Sequence, residues 1–162
     1  MILVALGSNE AGPWGSPRET VERALGELGR DGLKLEAASR LLESRPLGRR
    51  DQAPYINAVA VLATDLPPEA LMARLHLIER SAGRQRVIRW GPRTLDLDLL
   101  DYHGRVENPP SGPILPHPGI AERIFVLKPL AELAPLWVHP TLKQSAAELL
   151  QKLDPKGEGA EI

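Results

Sequence analysis

Five consecutive residues, Leu95-Asp96-Leu97-Asp98-Leu99, restrict the possible folds of this chain more than any other feature. In a helix the alternation would scatter leucine and aspartate around the axis. Only an extended strand puts three leucines on one face and two carboxylates on the other. The sequence therefore requires a sheet, dry on one side of this strand and charged on the other. Other segments place the strand, Leu95 to Tyr102, in an order of alternating periods. Met1 to Leu6 is a continuous apolar run and reads as a buried strand. Ser16-Pro17-Arg18-Glu19 is a capping box with proline at the first helical position, and Val21, Ala24, Leu25 and Leu28 carry a helix to about Gly29-Arg30. Leu33 to Glu43 and Tyr55 to Thr64 read as two strands. Thr64-Asp65 reads as the cap of a second helix with Leu71, Leu75 and Ile78 on its apolar side and Gly83 as its stop.

Beyond the aspartate strand the sequence predicts a turn at His103-Gly104 and a short return strand. Asn108 to Pro118 is loop, with five prolines in eleven residues. Ile120 to Leu133 is weakly helical, and Ser145 to Leu153 is a helix with a second capping box at Ser145 and Glu148. The order β-α-β-β-α-β predicts an α+β fold: a ferredoxin-like sheet core with helices on both sides and a C-terminal helix. Residues 1–153 are expected to form a single domain, with 154–162 a frayed tail.

Charge and cysteine usage narrow the function classes. A formal charge of -1 gives no general attraction to nucleic acid or an anionic membrane. With no cysteine, disulfides and thiolate metal sites are excluded. The N-terminal apolar run is six residues long without a basic flank, too short for a signal peptide or a membrane span. The expectation is a soluble, cytoplasmic monomer.

Asp96 and Asp98, two residues apart on one strand face, lie about 6–7 Å apart along the backbone. Carboxylates so placed converge on one hard cation or bracket two, and Mg²⁺ is commonly held by one or two carboxylates together with substrate phosphates. A solvated edge strand satisfies the alternation equally well. What favours the functional reading is the segment just upstream. Arg84, Arg86, Arg89 and Arg93 fall there without an acidic residue among them, and guanidinium forks match phosphate oxygens bidentately. Together these groups point to phosphoryl transfer. No G-x-x-x-x-G-K-[ST], H-E-x-x-H or G-x-S-x-G occurs in the chain. His76, within a helix, and His103, in a turn, read as structural; His117, between two prolines, is displayed for contact with a phosphate. Tyr55 and Asn57 share one strand face, and Phe125 is the single phenylalanine. Core packing accounts for the two aromatics as well as a binding role does.

RWGPRTLDLDLL (89–100) resembles the signature of the 6-hydroxymethyl-7,8-dihydropterin pyrophosphokinase family of folate synthesis. VALGSN (4–9), SRPLG (44–48), DQAPYINAV (51–59), the arginine segment and LPHPGIAERIFVLKPLAELAP (115–135) resemble its other landmarks in order. The resemblance implies the fold read above. It also implies transfer of the pyrophosphoryl group of ATP to the hydroxymethyl oxygen of the dihydropterin, releasing AMP. It implies that Asp96 and Asp98 hold two Mg²⁺ ions and that Arg84 and Arg93 act with them in catalysis. Arg84, Arg89, Trp90, Arg93, His117 and Arg123 would bind ATP, with Glu79 on the nucleotide side and Trp90-Gly91-Pro92 at the end of a closing loop. Ser44, Pro46, Leu47, Tyr55, Asn57 and Phe125 would bind the pterin. The chain departs from the family pattern at Ser44, where threonine is usual, at Ala53-Pro54, and at 108–114, which lacks an arginine and a threonine found in some relatives. Two other classes fit parts of the sequence. A nucleotidyltransferase also pairs a Gly-Ser turn with a D-x-D strand, but needs them close in sequence. An RNA-binding ferredoxin-like module needs several aromatics on a strand face and a basic surface.

Overall fold

Side-chain alternation along three long strands sorts the apolar residues into two cores, one on each face of a single antiparallel sheet. The computed structural model describes residues 1–44, 54–83 and 94–157. Its elements run β1 (Ile2–Ser8), α1 (Pro17–Glu27), β2 (Lys34–Ala38), β3 (Leu42–Ser44), β4 (Tyr55–Ala63), α2 (Pro68–Ser81), β5 (Asp96–Tyr102), a 3-10 turn (Ile120–Glu122), α3 (Ile124–Leu133) and α4 (Ala146–Leu153). The sheet order is β2-β4-β1-β5, with β3 also paired to β4. With β2 and β3 taken as one interrupted strand, this is the ferredoxin-like arrangement, and β5 is an edge.

Ile2, Val4 and Leu6 of β1 join Leu97 and Leu99 of β5 against Val21, Ala24 and Leu28 of α1 and Leu71, Leu75 and Ile78 of α2. Leu3 and Ala5 turn to the opposite face, where Val59, Val61 and Leu100 meet α3 and α4. Helices therefore cover both faces. Burying each of these valine, leucine and isoleucine side chains fully contributes about 1.5–3 kcal/mol. Both capping boxes are formed: Ser16 Oγ accepts from the Glu19 N–H at 3.2 Å, and Ser145 Oγ accepts from the Glu148 N–H at 3.1 Å.

Three local expectations are corrected and a fourth is refined. The segment Leu33 to Glu43 is two strands rather than one. The Ser39 N–H donates to Val59 O, but its side-chain Oγ, in place of a carbonyl, accepts from the Val59 N–H at 3.0 Å. The ladder breaks there. Thr64-Asp65 does not cap the second helix, which has Pro67 at its N-cap and proline at its first position. Thr64 Oγ1 instead donates to Gly32 O at 2.9 Å and accepts from the Leu66 N–H at 3.2 Å. The return strand is a single bridge between Glu107 and Leu115, since the prolines around it have no N–H to extend a ladder. Ile120 to Leu133 is a 3-10 turn followed by α3, divided at Arg123, whose backbone is extended. Of the expected tail, residues 158–162 lie outside the described residues.

Candidate active site

Strand register fixes the site. On the face that carries α3, three rows cross β4, β1 and β5: Val61–Leu3–Asp101, Val59–Ala5–Asp98 and Asn57–Gly7–Asp96. Directly opposed residues share a face, so Asp96 and Asp98 stand beside the smallest residues of β1. Both are half-buried, while Leu97 between them is buried in the opposite core. The alternation read from the sequence therefore separates carboxylates from leucines as expected. It stops at Leu99-Leu100, where a bulge pairs Leu3 with Asp101 but Val4 with Leu99. The extra residue puts Leu100 on the second core.

The free edge of β5 receives two further groups. Glu79, 1% exposed in the last turn of α2, accepts from the Leu97 N–H through Oε2 at 2.8 Å. The helix thus grips the strand midway between the two aspartates. Leu100 O accepts from the His117 N–H at 2.9 Å, which holds His117 at the edge of the strand, within electrostatic reach of Asp98. His117 Nδ1 accepts from the Gly119 N–H at 3.0 Å. The neutral imidazole consequently carries its proton on Nε2. Burial holds its pKa below the ordinary value; the Asp98 charge opposes this and the Arg123 charge adds to it. Asp98, His117 and Arg123 are therefore electrostatic neighbours. The Arg123 guanidinium lies against Gly119, where an added Cβ would come within 2.7 Å of Nε. The sequence offers no signal for the Glu79–Leu97 bond, because nothing marks a helix carboxylate as the partner of a strand amide. Gly119 is visible in sequence only as one more loop glycine.

At the other end of the same face, Ser44 pairs with Tyr55. Ser44 is 3% exposed with its hydroxyl unpartnered, and Tyr55 is 36% exposed. Asn57 is buried, and Phe125, in the first turn of α3, packs half-buried against the second core. Ser44, Tyr55, Asn57, Phe125, Asp96, Asp98, His117 and Arg123 thus belong to one face of the sheet. Arg84, Arg86, Arg89, Trp90 and Arg93, and Pro46 and Leu47, lie outside the described residues. Among the described residues no group of three or more His, Cys, Asp or Glu could hold a metal ion. Two oxygen donors, completed by phosphate and water, are nevertheless a set that Mg²⁺ commonly takes, so Asp96 and Asp98 fit that ion. No helix among the described residues is long and apolar enough to cross a membrane.

The chain is similar to several known proteins. The chain is 45% identical over 135 residues to the Pseudomonas aeruginosa 2-amino-4-hydroxy-6-hydroxymethyldihydropteridine pyrophosphokinase, covering 83% of this chain and 80% of that one. It is 38% identical to the Haemophilus influenzae protein of the same name, covering 94% and 97%. It is also 38% identical to the Pneumocystis carinii folic acid synthesis protein fol1, but spans only 20% of that longer protein. The crystal structure of Plasmodium falciparum HPPK-DHPS superposes with a TM-score of 0.68 at 12% identity, over 96% of this chain and 42% of that one; that likeness shows the fold. The profile of the 7,8-dihydro-6-hydroxymethylpterin-pyrophosphokinase family matches residues 3–135, and the chain belongs to that family.

Proposed function

We propose that the face described above is the site at which this chain, an ATP-dependent pyrophosphokinase of folate synthesis, transfers the pyrophosphoryl group of ATP to the hydroxymethyl oxygen of 6-hydroxymethyl-7,8-dihydropterin. AMP is the second product. The observation that carries the assignment is the row Asn57–Gly7–Asp96. It sets an amide suited to a heterocycle edge about 10 Å, two strand spacings, from a carboxylate suited to a cation, with no side chain on the residue between them. A flat ring held at its edge by Asn57, between Tyr55 and Phe125, lies over β1 with its substituent toward β5. Main-chain groups at Ser44 and the neighbouring Pro46 and Leu47 read the rest of the ring.

Asp96 and Asp98 hold magnesium, as two ions, which when bound supplies charge neutralisation at the transferring phosphates. Arg84, Arg89, Trp90 and Arg93 serve to bind the triphosphate. His117 donates through Nε2 and Arg123 through its guanidinium to phosphate oxygens. Glu79 serves the nucleotide side by holding Leu97, and with it the two aspartates, in place. Positioning and electrostatics carry most of the rate in phosphoryl transfer. Asp98 is the group placed to accept the hydroxyl proton. Full rate recovered by Asp98→Asn at high Mg²⁺ would remove that role. Residues 1–153 act as one unit, a cytoplasmic monomer that needs neither nucleic acid nor membrane.

The test is to incubate the protein with Mg-ATP, with and without the pterin, and to separate the adenine nucleotides. AMP formed only with the pterin is the expected result. ADP in its place, or no turnover, would overturn the assignment.

A further inference from the structure

We infer that Gly7 is a positioning residue of the pterin site: the absence of a side chain there lets the Asn57 amide lie across β1, between β4 and the carboxylates of β5. The inference deepens, and rests on, the assignment of Asn57 to the edge of the pterin.

On this face the β1 side chains shrink along the strand, from Leu3 to Ala5 to Gly7, while their neighbours change from Val61 and Asp101 to Asn57 and Asp96. The strand itself gives no reason for the glycine. Gly7 is not among the glycines with positive φ, so its backbone would accept any residue, and glycine inside a strand is less stable than alanine. The reason is the neighbour. A Cβ on Gly7 would stand 2.8 Å from Asn57 Oδ1, and the next atoms, Asn57 Cγ and Ile56 O, are each 3.9 Å away. The close contact is with the end of a side chain, and backbone is a full ångström farther off. Alanine here would therefore turn the amide aside and leave the sheet intact. Asn57 is itself buried at 8% exposure, so the displaced amide has little room to recover its direction.

The experiment is a double-mutant cycle on Gly7→Ala and Asn57→Ala. Pterin dissociation constants are measured in Mg²⁺ with a non-hydrolysable ATP analogue, together with the Kd of the analogue alone and Tm. Gly7→Ala is expected to weaken pterin about tenfold, the loss of one well-made hydrogen bond, with analogue binding and Tm unchanged. In the Asn57→Ala background the same substitution is expected to cost less than about twofold, because the group it displaces is gone. Losses that multiply in the double variant would overturn the proposal, as would unchanged pterin binding in Gly7→Ala. Unchanged binding in Asn57→Ala would instead overturn the assignment of Asn57, and the proposal with it. Should Gly7→Ala alone fail to fold, the double variant must fold; if it also fails, the clash is not with Asn57 and the proposal is wrong.

Discussion

Three aspartates on one short strand have different surroundings. Asp101 is 2% exposed; its Oδ2 accepts from Trp137 Nε1 at 2.8 Å and its Oδ1 from the Gly104 N–H at 3.0 Å. It fastens the C-terminal segment and the turn after β5 to the sheet. Asp96 and Asp98 are half-buried and stand beside Gly7 and Ala5. Asp101→Ala is expected to lower stability by about 2–4 kcal/mol, since each hydrogen bond to a charged group contributes about 1.5–3 kcal/mol and the Trp137 indole N–H is left buried without its acceptor. Its kcat should stay within a few-fold of the parent. Asp96→Asn and Asp98→Asn should do the opposite, with chemical denaturation midpoints unchanged and kcat reduced by about a hundredfold or more. Urea titrations and steady-state rates on the three variants check the contrast. A stable, inactive Asp101→Ala would break the division of labour.

At the scale of elements, α2 and β5 share the first core and are joined at the strand edge by the Glu79–Leu97 bond. An edge strand presents amides that need covering, and the Glu79 carboxylate covers the one between the two aspartates. Glu79→Ala would leave the Leu97 N–H buried without that acceptor, at a cost of about 1–3 kcal/mol. A small shift of the strand should also reduce kcat, by up to about a hundredfold. Glu79→Gln keeps an oxygen in reach and should lose much less on both counts. Denaturation curves and kcat measured together test this, and an alanine variant of full stability would sink it. The sequence showed α2 by its leucine spacing and β5 by its alternation, because periodicity reports which face is buried. It did not show their junction, because a single tertiary hydrogen bond leaves no period. The same limit explains the ends of elements. Ser16 and Ser145 were legible as caps since a capping box is local, whereas the break at Ser39 depends on Val59, twenty residues away. Asp96, Asp98, Tyr55 and Asn57 could be placed on common faces from their two-residue spacing. That all four lie on the same side of the sheet required the β4–β1–β5 register.

At the scale of the whole molecule, the second core, unlike the first, is closed by elements outside the β-α-β-β-α-β order, and its closure is sensitive to acid. Trp137 is buried and packs edge-on against His139, their ring centroids 5.8 Å apart. His139 Nδ1 accepts from the Thr141 N–H at 3.2 Å and the Leu142 N–H at 3.1 Å, with Thr141 Oγ1 at 3.1 Å. A protonated imidazole has no lone pair for these amides. Burial holds the His139 pKa below its ordinary 6.5, against the opposing charge of Asp101. The unfolded chain therefore takes up a proton that the folded molecule resists. The stabilisation is fully present above about pH 6.5 and is lost as pH falls through the lower, folded value. His117, also depressed by burial, acts in the same direction. Thermal melts between pH 8 and pH 5 should show Tm falling below about 6.5. His139→Gln should start lower, for want of the imidazole acceptor, and then fall less, so the two curves converge in acid. Parallel curves would mean that His139 does not titrate during unfolding, and that the acid sensitivity of this core lies elsewhere.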